Sequence, residues 1–443
     1  MLGKILIYVI VTVLTVLVLN PHYFTYTYFL TRPLLQPFAM ERMLVFGVPI
    51  TGLMALQLAL FTVFWGIVRK DFSFRVPNIL PLYILLFFAL MSFINSVDVY
   101  ASMAGFAKLV TAVMSYVLVY NVIKEEKDAR KLLLVIVLAT LIPMAVGYYQ
   151  FFTESGGKAI GGLTNRVKGT LGMANAYGIY LALSLCATAI LLLHPRWRVN
   201  KRLLGMAAAS MVVSSVIALN RGTWIALSFA VAVATMFYIR KIRIRWILFG
   251  AVVVFGLFSN LIYERFQQLE GGEHNEMNTL ERRISYWKST WAFVPEHLLV
   301  GWGIGTAQQV MEEHFDVADV THNDYLRLLL ETGIFGLAAY LFFLGRQAWL
   351  ALRRLRYKNL WYINYPALIT IFYFIIISMP QNIYDHMVNL PLFFSLIAIS
   401  YRLVEFELSR TGGAVQHKPG LQELNRNRRG KQLVRHAASK FHS

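Results

Sequence analysis

Runs of mostly apolar residues, each about 20 long, recur along this chain and dictate what it can fold into. A helix of that length crosses the hydrocarbon core of a bilayer. With 57% of its 443 residues hydrophobic and only 15% charged, the chain carries too little charge for soluble domains of ordinary composition. Run length predicts about twelve membrane spans. They are Lys4–Leu19, Met43–Val68, Ile79–Ile94, Met103–Val122, Leu132–Phe152, Ala176–Leu193, Leu203–Leu219, Thr223–Ile239, Trp246–Ile262, Leu328–Leu344, Trp361–Met379 and Met387–Leu403. The expected fold is all-α: a polytopic helix bundle over residues 1–404, with one large loop at about 263–326 that contains short helices. Residues 405–443 form a basic tail.

Basic residues decide the expected orientation. Arg69, Lys70 and Arg75 share one loop; Lys124, Lys127, Arg130 and Lys131 share another. Arg196, Arg198, Lys201 and Arg202 follow, then Arg240, Lys241, Arg243 and Arg245, then Arg346, Arg353, Arg354, Arg356 and Lys358. These are alternate loops, and the intervening ones are poor in Lys and Arg. The positive-inside rule therefore predicts both termini in the cytoplasm. The net charge of +19 is spread over such clusters, a membrane-loop pattern rather than a nucleic-acid-binding one. No small-residue cleavage site follows Leu19, so the N-terminal run reads as a first span and not a signal peptide. The aromatic stretch "PHYFTYTYF" after it is expected at the membrane interface. Cys186 is alone, which rules out an internal disulfide and a cysteine metal site. The tail, rich in Gly, Arg and Lys, is expected to be disordered or to lie on anionic lipid.

A few charges break the pattern. Arg221 in "VIALNRGTWIAL" falls on the outer side, at the edge of a span. Its outer companions are Arg166 in "NRVKGTLGMANAYG" and Arg282 and Arg283 in "ERRISYW". A charge at membrane depth costs on the order of 2.5–3.5 kcal/mol on insertion scales, so it normally has an anionic partner. A lipid headgroup or loop carboxylate is the plain choice; a lipid-linked diphosphate suits paired guanidinium donors in three separate segments. His322 opens the stretch "THNDYLRLLLETGIFGL". Asn323 and Asp324 suit a helix start. An imidazole titrating near pH 6.5 can also take a proton from a hydroxyl. Asp324 and Glu331 are expected either to orient His322 or to pair with Arg327 at helical spacing. Asp385 and His386 form a second candidate acid–base pair. No Asp-x-Asp clamp for a metal-bound sugar diphosphate is present, and Asp316 and Asp319 are two residues apart, so no metal is expected. "GWGIG", Gly301 to Gly305, lacks the setting of a nucleotide loop and reads as a tight turn.

Taken in order, "RVKGTLGMANAYG", "NRGTW", "RISYW…VGWGIG" and "HNDYLRLLLETGIFGL" resemble the signature segments of the O-antigen ligase and O-antigen polymerase family, over roughly Leu132 to Leu344. That resemblance implies a bactoprenol-dependent, GT-C-type glycosyltransferase of the bacterial inner membrane. Its donor would be a glycan on an undecaprenyl-diphosphate carrier, and its acceptor a sugar hydroxyl of a glycan or glycolipid, met on the outer face. It further implies that Arg221 and Arg283 bind the diphosphate, with Arg282 a competing assignment and Arg166 a weaker match. His322 would activate the acceptor hydroxyl, with Asn323, Asp324, Tyr325 and Glu331 in support. Asn220 stands where a serine is common in the family. No cofactor is implied. A repeat-unit polymerase of the same family, and a transporter or flippase of lipid-linked glycans, are the alternatives.

Overall fold

The computed structural model describes residues 20–36, 44–45, 48–157, 166–238, 259, 279–315 and 321–410. Over these the chain is helical, apart from a two-residue antiparallel pair, β1 (Leu44–Val45) with β2 (Val48–Pro49). The helices are α1 (Pro21–Thr31), α2 (Ile50–Val68), α3 (Leu80–Met91), α4 (Val99–Val122), α5 (Glu126–Ala139), α6 (Leu141–Phe152) and α7 (Ala174–Leu193). Then come α8 (Lys201–Ile217), α9 (Arg221–Tyr238), α10 (Thr279–Phe293), α11 (Ala307–Phe315), α12 (Asp324–Arg353), α13 (Trp361–Ile377) and α14 (Asn389–Arg410). The chain divides into two compact units, Met1–Leu403 and Val404–Ser443, and the first holds every residue of the candidate site.

Six described stretches are long and apolar enough to cross a membrane: Val99–Val122, Glu126–Phe152, Ala174–Leu193, Arg221–Tyr238, Asp324–Arg356 and Lys358–Ile377. Gly52–Val68 and Leu80–Asn95 are shorter apolar helices. α8 and α14, also expected as spans, are helices outside those six: α8 has 17 residues, and α14 closes on the charged sequence "RLVEFELSR". Lys4–Leu19, Trp246–Ile262 except Ser259, the loop parts 263–278 and 316–320, and the tail beyond Arg410 lie outside the described residues.

Contacts sort the helix ends into two rims. At the first, Arg196, between α7 and α8, bonds Glu126 of α5 at 3.0 Å. Lys124 bonds the Asp71 carbonyl at 2.8 Å, and Arg402 bonds the Ile123 carbonyl at 2.7 Å. This rim gathers basic loops. At the second rim α7, α9 and α12 begin and α13 ends. The Asn220 amide nitrogen donates to the Asn175 carbonyl at 3.3 Å, and the Asp324 N–H donates to the Ser378 carbonyl at 2.9 Å. α1 starts at the basic rim, where His22 lies 4.0 Å from Asp128. From there it runs into the bundle, with Phe24 and Tyr28 buried and Phe24 edge-on to Trp65. Within the aromatic stretch Phe24, Tyr28 and Phe29 are buried against protein, while Tyr23 is exposed near the rim.

One helix is broken. Inside α12, Gly333 adopts φ 70° and ψ −174°, which interrupts the helical ladder. The groups this frees are taken by the loop from Leu298 to Gly303. Trp302 N–H donates to the Leu330 carbonyl at 2.9 Å, Gly303 N–H to the Glu331 carbonyl at 3.2 Å, and Ile334 N–H to the Leu298 carbonyl at 2.8 Å. Backbone meets backbone so closely that a Cβ on Gly333 would lie 2.3 Å from the Leu299 oxygen. "GWGIG" is therefore a turn, as expected, with its three glycines at positive φ. Its task is to fill the break in α12, where freed backbone groups need partners.

Candidate functional site at the second rim

The turn before α9 is the centre of the site. Leu219 has φ 54°, a conformation few non-glycine residues adopt, and it turns the chain so that Asn220 and Arg221 face the start of α7. Asn220 is buried and serves two purposes. Its side-chain oxygen accepts from Thr223 N–H at 3.3 Å, capping α9, while its amide nitrogen holds the Asn175 carbonyl. Asn175 in turn accepts from Arg166 Nη2 at 2.9 Å through its side chain. Arg166 is thereby fixed against the N-terminal ends of α7 and α9. Burial lowers its pKa, and the positive charges of Arg221 and Arg283 lower it further. Three arginines from separate segments therefore act on one another through space.

α10 explains how Arg283 arrives there. Trp287, one turn further along, donates its indole N–H to the Thr321 carbonyl at 2.9 Å. Residues four apart share a helix face, so the bond that pins Trp287 beside His322 also directs Arg283 toward the site. Arg283, not Arg282, is the residue whose charge reaches Arg166. On α10, Ile284 and Trp291 are exposed, while Thr290 and Phe293 are buried.

His322 has φ 47°. Strained backbone of this kind persists where the surroundings enforce it. Here Trp287 holds the preceding carbonyl, and Asn323 starts α12 by accepting from Tyr325 N–H at 3.0 Å and Leu326 N–H at 3.1 Å. Asn323 is thus a helix cap. Tyr325 donates its hydroxyl to the Ile375 carbonyl at 2.6 Å. Asp324, fully buried, accepts from the N–H groups of Ile383 at 3.1 Å and Tyr384 at 3.2 Å. It therefore fastens the 383–386 turn to α12.

Behind His322 runs a chain of alternating charge. Glu331 accepts from Ala307 N–H at 3.2 Å and from Arg327 Nε at 2.8 Å. Arg327 also donates to Asp385, which accepts from Lys108 Nζ of α4 at 2.9 Å. Of the two expected roles for Glu331, pairing with Arg327 is the one found. Burial would raise the Asp385 carboxyl, but Arg327 and Lys108 outweigh it and hold the group well below the usual carboxylate range. His386 is buried next to it. The Asn389 amide nitrogen must face the Ala176 carbonyl, at 3.0 Å, and so donates to His386 Nδ1 at 3.2 Å. Burial pushes the His386 pKa down to about 4; Asp385 opposes this, while Lys108, Arg327 and His322 add to it. Electrostatics thus link His322 with His386, and Asn389 links His386 with the start of α7.

Of the four expected arginines, Arg221 and Arg283 act electrostatically on Arg166. Lys108 was not anticipated as a site residue. A lone lysine inside an apolar run was the available signal. Asn175 and Asn389 carried none, since their partners are distant in sequence. Among the described residues, no group of three or more His, Cys, Asp or Glu side chains is placed to hold a metal ion.

Long apolar helices, a broken helix filled by its own loop, and cations gathered at one rim define a polytopic membrane protein. Residues 207–341, which include Arg221, Arg283 and His322, match the family model described as O-antigen ligase. That match supports the O-antigen ligase family for this segment, and with it a membrane glycosyltransferase of the ligase or polymerase type. No curated protein matches it.

Proposed function

We propose that this protein moves a glycan from an undecaprenyl-diphosphate carrier to an acceptor sugar hydroxyl on the extracytoplasmic face of the bacterial inner membrane. The observation that carries the reading is that Arg221 and Arg283 act electrostatically on Arg166, which Asn175 holds at the start of α7. Like charges gather at a membrane rim when an anion with several oxygens joins them, and guanidinium forks match a diphosphate. Helix N-termini at α7 and α9 add positive potential on the same side.

In this mechanism the arginines hold the diphosphate and stabilise the charge it gains as the glycosyl bond breaks. The acceptor oxygen attacks the anomeric carbon from the opposite face, which inverts it, and His322 takes the hydroxyl proton. The bonding pair of the broken bond leaves with the diphosphate, so no ATP and no metal is required. His386 is a poor base, because its pKa is about 4 and its Nδ1 accepts from Asn389. It is a positioning residue. The outward placement rests on the basic loops of the opposite rim, with about twelve spans and both termini inside. A break that lined a transport path would expose backbone to a cavity. The break in α12 is filled by residues 298–303, which favours transfer over transport.

The test uses purified protein with a single-repeat undecaprenyl-diphosphate donor and a glycolipid acceptor. One covalent adduct is expected. A ladder would identify a repeat-unit polymerase, and donor relocation without a product would identify a transporter. His322→Ala should slow transfer by roughly 10²–10⁴-fold with donor binding retained. Arg221→Lys and Arg283→Ala should weaken donor binding, and Arg282→Ala should do so much less. Full activity in His322→Ala would remove the base assignment.

A further inference from the structure

Arg166 stands on a stretch that belongs to no helix, so other elements must fix the backbone that carries its guanidinium. α6 supplies the support. Pro143, Gly147 and Gln150, at spacings of four and three, share one face of that helix. The segment that follows Arg166 lies against this face. Val167 is fully buried, and a Cβ on Gly147 would lie 3.2 Å from its Cγ1 and 2.6 Å from the Tyr177 hydroxyl. Gly169 has φ 56°, and a Cβ there would lie 2.8 Å from the Pro143 carbonyl oxygen. Both glycines thus permit an approach that a side chain would block.

Gln150 closes the contact. The N–H groups of Lys168 and Gly169 both donate to its Oε1, at 2.9 Å each, and its Nε2 donates to the Gly169 carbonyl at 3.0 Å. Two N–H groups at one end of the amide require oxygen there. One side chain therefore gives three bonds to two consecutive residues, in place of a helix or strand partner. Upstream, the Arg166 N–H donates to the Gly157 carbonyl at 2.7 Å; downstream, the Thr170 hydroxyl donates to the Pro33 carbonyl at 2.8 Å. Asn175 holds the guanidinium through Nη2 at 2.9 Å, while Nε is buried without a partner among the described residues. The backbone around Arg166 is clamped, and its side chain keeps a donor for a ligand.

We propose that Gln150 is a positioning residue of the donor site: by fixing the backbone at Lys168 and Gly169, it sets where Arg166 meets the diphosphate. The inference rests on the reading that the arginines bind that group. Gln150 lies outside residues 207–341, the segment matched by the family model. A binding group must be held within about 0.5 Å of its productive position, and the residues behind it do the holding.

The experiment measures binding of undecaprenyl diphosphate to the full-length protein in detergent by microscale thermophoresis. Arg166→Met should weaken binding roughly 10–100-fold, the worth of a lost hydrogen bond from a charged group. Gln150→Met should weaken it by about fivefold or more, and by no more than Arg166→Met. In the Arg166→Met background, Gln150→Met should change affinity by less than about twofold, because the group it positions is gone. In the transfer assay, Gln150→Met should raise the donor KM and leave the acceptor KM within about twofold. Gln150→Asn keeps the amide but withdraws it by one carbon; it should show the same loss confined to the donor, and serves if Gln150→Met does not fold. Unchanged affinity in both Gln150 variants, an equal rise in both KM values, or a loss undiminished in the Arg166→Met background overturns the inference and leaves the transfer reading standing. No binding by the unmodified protein removes the diphosphate site itself, and the inference with it.

Discussion

In Asp385→Asn, Arg327 loses one of the two carboxylates that hold it, and Lys108 loses its partner. Breaking a buried ion pair from one side costs about 3–5 kcal/mol, because a charge is left without compensation. Two features place this case near the lower end. Arg327 keeps Glu331, and the Asp385 side chain is 26% exposed, so water recovers part of the loss. The expected cost is about 3 kcal/mol. Lys108, 31% exposed, accounts for a smaller share, about 1 kcal/mol. Lys108→Met in the Asp385→Asn background should therefore recover about 1 kcal/mol, since it removes a cation that then faces Arg327 alone. Thermal unfolding of the four proteins, followed by tryptophan fluorescence in one detergent, gives the cycle. Additive effects of the two changes, within about 0.5 kcal/mol, would show that the charges do not act as a unit. An unshifted midpoint for Asp385→Asn would refute the reasoning outright.

Two further outcomes follow from the same geometry. His386, with a folded pKa of about 4 against an ordinary 6.5, stays neutral where the unfolded chain takes up a proton. Its contribution to stability is complete above about pH 6.5 and falls as pH drops toward 4, by about 3 kcal/mol at most. Unfolding midpoints measured from pH 7.5 to 4.5 should fall less steeply in His386→Gln; equal slopes would contradict the assignment. Gly333→Ala puts a Cβ 2.3 Å from the Leu299 oxygen at φ 70°. Backbone strain and weakened bonds to residues 298–303 should together cost about 3–5 kcal/mol. Gly345→Ala, in open space within the same helix, is the control and should leave the midpoint unchanged or slightly higher.

Much of the site was legible because charge in an apolar run is costly wherever it falls. Arg166, Arg221, Arg283 and His322 stood out locally, before any contact was known. The tight turn at Gly301–Gly305 was also visible, since glycine spacing is a local property. In the aromatic segment after Asn20, composition did not tell the buried rings Phe24 and Tyr28 from the exposed Tyr23, because aromatic residues suit both a membrane interface and a packed core. Arg282 and Arg283 could not be separated by composition; in the structure it is Arg283 whose charge acts on Arg166. Glu331 had two readings, and the bond from Arg327 chose between them; the partners found for Asp324, the Ile383 and Tyr384 amides, belong to neither of its expected roles.

Sequence alone determined that the chain is helical and membrane-embedded, and which cations need an anion, because transfer of apolar and charged groups between water and lipid is priced residue by residue. Only the tertiary structure decided that Lys108 meets Asp385, 277 residues away, and that α12 breaks against the loop at Leu298–Gly303. Hydrogen bonds and ion pairs depend on distances of a few ångströms between elements, and those distances exist only once the helices have packed.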